Sequence, residues 1–179
     1  MRPLSAPTPS REHGDGAALS SELVRELLAA RLVGVLATLR GDGTIDAVPM
    51  WYAEHEGAVL LATSSRSRKV RNLELDPRAT LVLHDSRPGY EVCGACIAGT
   101  VEIVRLPAAQ ALVDLVHARY LLPATAEDPT VVGYLVSDDV ALRLTPTSSV
   151  TWDERASEAT EVVRANGWAL PLESTEPRP

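Results

Sequence analysis

The residues richest in chemistry lie between positions 60 and 77, in LLATSSRSRKVRNLELDP. Thr63, Ser64, Ser65 and Ser67 supply hydroxyl groups there, and Arg66, Arg68, Lys69 and Arg71 supply full positive charges. The chain as a whole has a formal charge of -7, so this excess of cations is local. Lys69 is the only lysine among 17 basic residues. An ammonium is a compact charge with three donors on a flexible stem, and it reaches an anion that a planar guanidinium does not fit. The stretch reads as a strand ending at Thr63, a polar turn, and a helix capped by Ser65 or Ser67 and stopped before Pro77. The unpaired N–H groups and the positive dipole end of that helix then join the same cluster. Such a combination holds a phosphate or a carboxylate. The competing reading is a solvated basic helix whose charges balance Glu74 and Asp76; the solitary lysine weighs toward the anion seat. Three-residue spacing sets Lys69 and Asn72 on one helix face and Val70 and Leu73 on an inward one, with Arg71 outward toward Glu74 or Asp76.

A second group is PMWY at positions 49–52. Pro49 lies inside what otherwise reads as a strand. It has no N–H to donate, so it belongs at a sheet edge or a bulge. A bulge would aim Met50, Trp51 and Tyr52 at a site; the other reading is a plain edge with Trp51 in the core. No nucleophile stands out. Tyr52, Tyr90, Tyr134 and His84 are the side chains able to donate a proton. His13, His55 and His117 read as incidental, and Asp138 with Asp139 as a turn. Cys93 and Cys96 fall on opposite faces of a strand. Two thiols and scattered histidines make neither a disulfide framework nor a four-ligand zinc site, so no metal site is expected. The cysteines read as small apolar strand residues in a reducing cytosol, with a redox pair as the alternative.

Several classes are excluded. An acidic chain lacks the broad basic face that nucleic acid requires. No glycine-rich dinucleotide fingerprint or P-loop occurs. The longest apolar run, 27–39, is broken by Arg31 and falls short of the roughly 20 residues of a membrane span. Residues 1–16 hold no leader pattern. A cytoplasmic protein without a membrane partner is expected.

The elements that must position these residues follow from period and punctuation. Residues 1–18 read as a disordered arm. SSELVRELLAAR is a helix with Leu23, Leu27 and Leu28 on one stripe. LVGVLATL, TIDAVPMWYAE and AVLLAT read as a three-strand antiparallel meander, its first turn being RGDGT. RATLVLHD and the long YEVCGACIAGTVEIV follow as strands, with Gly94 and Gly99 as bends. Pro107 opens a helix with Leu112, Leu115 and Val116 buried. VVGYLVSDDVALRLTP reads as one or two further strands, and 154–179 as a loosely ordered tail with a short helix near 157–165. The sum is mainly β with flanking helices, an α+β chain whose antiparallel strands form a small closed or nearly closed barrel.

With these residues in place, the sequence resembles the split β-barrel flavin and deazaflavin oxidoreductases, the superfamily around pyridoxamine 5'-phosphate oxidase. GVLATLRGDGTIDAVPMWY resembles its first hairpin with Pro-x-Trp. ATSSRSRKVRNLELDPRATL resembles its cofactor-phosphate segment, and LRLTPTSSVTWD its closing strand. The resemblance implies an FMN-binding-like split barrel over residues 19–153 and a homodimer with cofactor at the subunit interface. It implies that Thr63, Ser64, Arg66, Ser67, Arg68, Lys69 and Asn72 hold the phosphate or acidic tail. Pro49, Met50 and Trp51 would lie beside the ring system, and Trp152 would reach across from the partner. RKVRNL is more similar to the branch that uses the deazaflavin F420, with FMN as the alternative. The C-terminal Arg-x-His pattern of true pyridoxamine phosphate oxidases is missing. The implied activity is hydride transfer from F420 to an unsaturated or oxidised small molecule. The alternatives are an FMN-binding oxidase-like enzyme and a non-catalytic cofactor carrier or sensor.

Overall fold

Apolar residues spaced for one stripe, Val24, Leu27 and Leu28, bury one side of helix α1 (Glu22–Ala29). Alternation then takes over. Strand β2 (Gly34–Leu39) turns at Asp42, whose carboxylate accepts from the Thr44 amide at 2.9 Å and hydroxyl at 2.6 Å. Gly43 follows with φ +84°, a left-handed position that suits glycine. The chain continues through β3 (Ile45–Met50), β4 (Tyr52–His55), β5 (Ala58–Ser64), α2 (Arg68–Leu75), β6 (Arg78–Arg87) and β7 (Glu91–Val104). Helices α3 (Gln110–Tyr120) and α4 (Pro129–Leu135), strand β8 (Asp139–Asp153) and helix α5 (Glu158–Asn166) complete it. A short strand, β1 (Ser10–His13), precedes them all. The computed structural model describes residues 10–13, 17–87, 91–135 and 138–168.

All strand pairs are antiparallel, in the order β3-β2-β6-β7-β8-β5-β4, with β1 paired to β8. The expected meander is therefore wrong in one place. TIDAVPMWYAE is two strands that part at Trp51, and they occupy opposite ends of the sheet. Laid flat, those ends would be about 29 Å apart, six strand spacings of about 4.8 Å. One residue joins them, so the sheet must curl into a half-barrel. Pro49 lies on edge strand β3, opposite Val35, as a residue without an N–H should.

Leu36, Leu61, Leu81, Leu83, Ile97 and Leu142 fill the curl beneath α1 and α2. The other face of β5 and β8 presents Leu60 and Ala141 to Val113 and Val116 of α3. Strand β5 is thus covered on both sides, which explains its unbroken apolar run. Leu115, expected inside, is exposed, because the inward stripe of α3 runs through Ala109, Val113 and Val116. VVGYL, expected as a strand, belongs to α4. The Asp128 carboxylate accepts from the amides of Thr130 and Val131, and Pro129 opens the helix. Gly99 marks a register shift between β7 and β8; a Cβ there would stand 2.1 Å from the Thr145 carbonyl oxygen. Gly94 is no bend. Its register with Trp152 is unbroken, and its missing side chain makes room for the indole. In the N-terminal arm Ser10–His13 pairs with β8 rather than running free. At the other end Ser157 caps α5 and Gly167 closes it at φ +62°, so the tail is ordered that far. Cys93 is buried and Cys96 half-buried, and burial pushes both thiols up. Among the described residues no helix is long and apolar enough to cross a membrane.

Tyr52 anchors the new strand just after the crossover. It is wholly buried, and its hydroxyl lies 2.7 Å from the Leu27 carbonyl and 2.8 Å from that of Ala30, donating to one at a time. Arg119 Nη2 lies within hydrogen-bond reach of the carbonyls of Leu28, Ala29 and Ala30, which share its two N–H groups, and its guanidinium stands 5.2 Å from the centre of the Tyr52 ring. Together they satisfy the open carbonyl end of α1, where a cation also complements the dipole. Burial pushes the Tyr52 phenol up from 10.0 to about 12. Between those values the folded chain keeps a proton that the unfolded chain has released, so stability should fall as pH rises through that window. Tyr52→Phe is expected to lessen the fall while costing about 1 kcal/mol at neutral pH. Urea denaturation of both chains, at neutral pH and across the window, measures the two effects.

Candidate functional site

The crossover creates a cleft of about 690 Å³. Pro49, Met50 and Trp51 line it from the seam, Thr63 and Ser64 from the end of β5, His117 from α3, and Asp138 and Asp139 from the start of β8. Trp51 is not a core residue. It is 38% exposed, stacked on Tyr120 at 5.0 Å with an interplanar angle of 3°, and met edge-on by His117 at 6.5 Å. The Tyr120 hydroxyl donates to the Leu32 carbonyl at 2.7 Å, which fixes the ring behind Trp51. The result is a flat aromatic wall beside a row of hydroxyls.

The cationic stretch follows directly from the end of β5 that lines this cleft. Lys69 Nζ donates to Thr63 Oγ1 at 3.1 Å and makes no ion pair among the described residues. Burial lowers its pKa, with Asp46 opposing. Arg68 and Arg40 flank Asp46 at 3.5 and 3.6 Å. Ser67 begins α2, and its Oγ is buried without a hydrogen-bond partner. A buried hydroxyl left unpaired is costly. Together with an ammonium that no carboxylate pairs directly, it makes a donor set that fits the anionic group of a cofactor.

Asp138 changes the picture at the other end of the turn. Its carboxylate accepts from Ser64 Oγ at 2.9 Å, Ser65 Oγ at 2.7 Å and Arg66 Nε at 2.8 Å. Those donors hold it at about 2, Ser65 first, then Arg66 and Ser64. The pair expected to be only a turn thus supplies a carboxylate to the predicted anion seat. Asn72 is buried, and its amide donates to Thr38 Oγ1 at 3.0 Å and Asp46 at 3.4 Å, tying α2 to β2. Arg71 donates to the Arg66 carbonyl; Glu74 and Asp76, its expected partners, pair with Arg105 and Arg78.

The structure therefore brings Pro49, Met50, Trp51, Thr63 and Ser64 into one cleft, with Lys69 joined to it through Thr63. Arg66, Arg68 and Asn72 stand beside it, engaged by carboxylates. Trp152 lies apart within the protomer, over Gly94 on the outward face of the sheet. Of the proton-donor candidates, Tyr52 is committed to α1, His84 points to the exterior, and Tyr90 and the Tyr134 side chain lie outside the described residues. Sequence reasoning missed Tyr120, His117 and Asp138. His117 and Tyr120 are three apart in a helix and so share a face, a signal that was available. Asp138 left no local trace.

A mostly antiparallel sheet curled into a half-barrel with flanking helices is the fold of the flavin-related split-barrel oxidoreductases. The family model described as Pyridoxamine 5'-phosphate oxidase matches residues 20–153, and the chain belongs to that family. The chain is similar to a conserved hypothetical protein, Rv2991, from Mycobacterium tuberculosis, with 29% identity and a TM-score of 0.60 over 84% of this chain and 87% of that one. It is also similar to a solved structure named F420 reductase, with 28% identity and a TM-score of 0.56 over 70% of this chain and 94% of that one. A heme binding protein from Mycobacterium smegmatis shares the fold at 22% identity, with a TM-score of 0.57 over 86% of this chain and 62% of that one. No curated protein matches.

Replacing Asn72 by alanine should cost about 1–3 kcal/mol, because Thr38 and Asp46 lose a buried donor. A lowered urea midpoint with unchanged denaturant dependence is the expected result.

Proposed function

We propose that the chain is an F420-dependent oxidoreductase that transfers hydride to an unsaturated or oxidised small molecule. The observation that carries this reading is the junction of the aromatic seam, Pro49 to Trp51, with the end of β5 and Lys69. A tricyclic ring fits the flat wall, and the cations stand where its phosphate would follow. The similarity to the F420 reductase supports the choice of deazaflavin. When bound, that coenzyme supplies the hydride. The chain's own residues would bind, orient and exclude water. Met50 and Trp51 would bed the ring, with Pro49 at the rim. Lys69 and Ser67, with Arg68 and Thr63 beside them, would hold the anionic part, while Ser64 and Arg66 are engaged by Asp138. Asn72 would keep α2 in place beneath them.

A homodimer completes the reading. The outward sheet face carries the row Pro49, Val35, Val82, Cys96 and Val150, paired strand to strand. None of these is charged, and the neighbouring row, Ala47, Ala37, Thr80, Ala98 and Ser148, is small and uncharged too. An apolar face of this extent is a candidate interface. Pro49 and Val33 belong to both this face and the cleft rim, so a second subunit would wall the cleft. Trp152 lies on the same face, placed to approach a partner.

Absorbance and fluorescence titration with F420 and with FMN tests the cofactor. Lys69→Ala is expected to weaken the favoured coenzyme about tenfold to a hundredfold, the loss of one charge-assisted hydrogen bond. Unchanged affinity for both would sink the phosphate assignment, and a substrate-dependent spectral change separates an enzyme from a carrier. Val82→Glu should convert a dimer to a monomer in light scattering and lower coenzyme affinity with it; a wild-type monomer that binds F420 equally well defeats the interface.

A further inference from the structure

Resting on that reading, we infer that Asp138 sets coenzyme choice by filling one of two anion seats with the chain's own carboxylate. The geometry is specific. Two hydroxyls and a guanidinium converge on Asp138 within 2.9 Å. The placement is built by backbone register. The Ser65 amide donates to the Asp138 carbonyl at 3.0 Å, and Ser64 pairs with Asp139 in the β5–β8 ladder. The ladder register therefore holds the carboxylate against those donors.

The charge count follows. Arg66 is matched by Asp138, and Arg68 shares Asp46 with Arg40. Arg71 turns away, onto the Arg66 carbonyl. That leaves Lys69 as the cation beside the cleft without a carboxylate in ion-pair reach among the described residues. One cation without a direct ion pair, and already within the field of Asp46, suits one negative charge better than two. The phosphate of F420 is a diester with a single charge, and the carboxylates of its acidic tail lie beyond that group. FMN presents a terminal monoester, which carries a charge of about -1.5 to -2 at neutral pH. A second full charge would need the Ser64, Ser65 and Arg66 donors, and Asp138 already holds them. Like charges repel, so a monoester that needs those donors is disfavoured and the diester is tolerated.

The experiment compares dissociation constants of F420 and FMN for the wild-type chain, Asp138→Ala and Asp138→Asn. The alanine variant opens the seat, and the asparagine variant keeps its shape without the charge. The FMN affinity relative to F420 is expected to rise about tenfold in Asp138→Ala and less in Asp138→Asn. Inorganic phosphate should compete with FMN more strongly in Asp138→Ala than in the wild type, and adding Arg66→Gln should cancel the gain. Wild-type binding of F420 with an unchanged ratio in both variants overturns this inference and leaves the proposed function standing. A wild-type chain that binds neither coenzyme overturns both.

Discussion

A single peptide link at Trp51 governs this molecule. The chain leaves the last strand at one end of the sheet and, one residue later, enters the first strand at the other end. Backbone connectivity cannot stretch across a flat sheet, so curvature is imposed before any side chain packs. The core, the two layers of helix and the cleft are consequences of that closure. Proline at the exit and a buried tyrosine at the entry hold the link, one by lacking a donor and the other by tethering to α1.

Closure also decides where the charges go. It lays the start of β8 along the end of β5, and so delivers Asp138 to the hydroxyl turn. Asp46 arrives by a different route, from the β3 edge, to meet Arg68 and Asn72. The basic stretch is exposed at Arg66 and Arg68, and its charges are met by Asp138 and Asp46 rather than by Glu74 and Asp76. It is a partly compensated site in which each cation has a distinct electrostatic state, with Lys69 the least compensated by carboxylates.

Much of this was legible in the sequence. The stripe of α1, the Asp-Gly turn and the inward pair Val70 and Leu73 all rest on short-range rules, and the structure follows them. What escaped depends on partners far along the chain. The β3–β4 break is invisible locally because both halves have strand chemistry. VVGYL has β-branched residues but obeys the helix start written in Asp128 and Pro129. Asp138 acts on residues 72 to 74 positions away. Only the ladder register makes that distance short.

Helix α3 has a mechanical consequence. Within one turn, Arg119 grips the carbonyl end of α1 while Tyr120 backs Trp51 and holds Leu32. Neighbouring residues of one rigid rod thus clasp the outer flank and the aromatic wall together. Any widening of the groove that displaced the indole would have to drag that flank along. The breadth of the opening is accordingly a property of the whole helical side of the molecule, not of its lining alone.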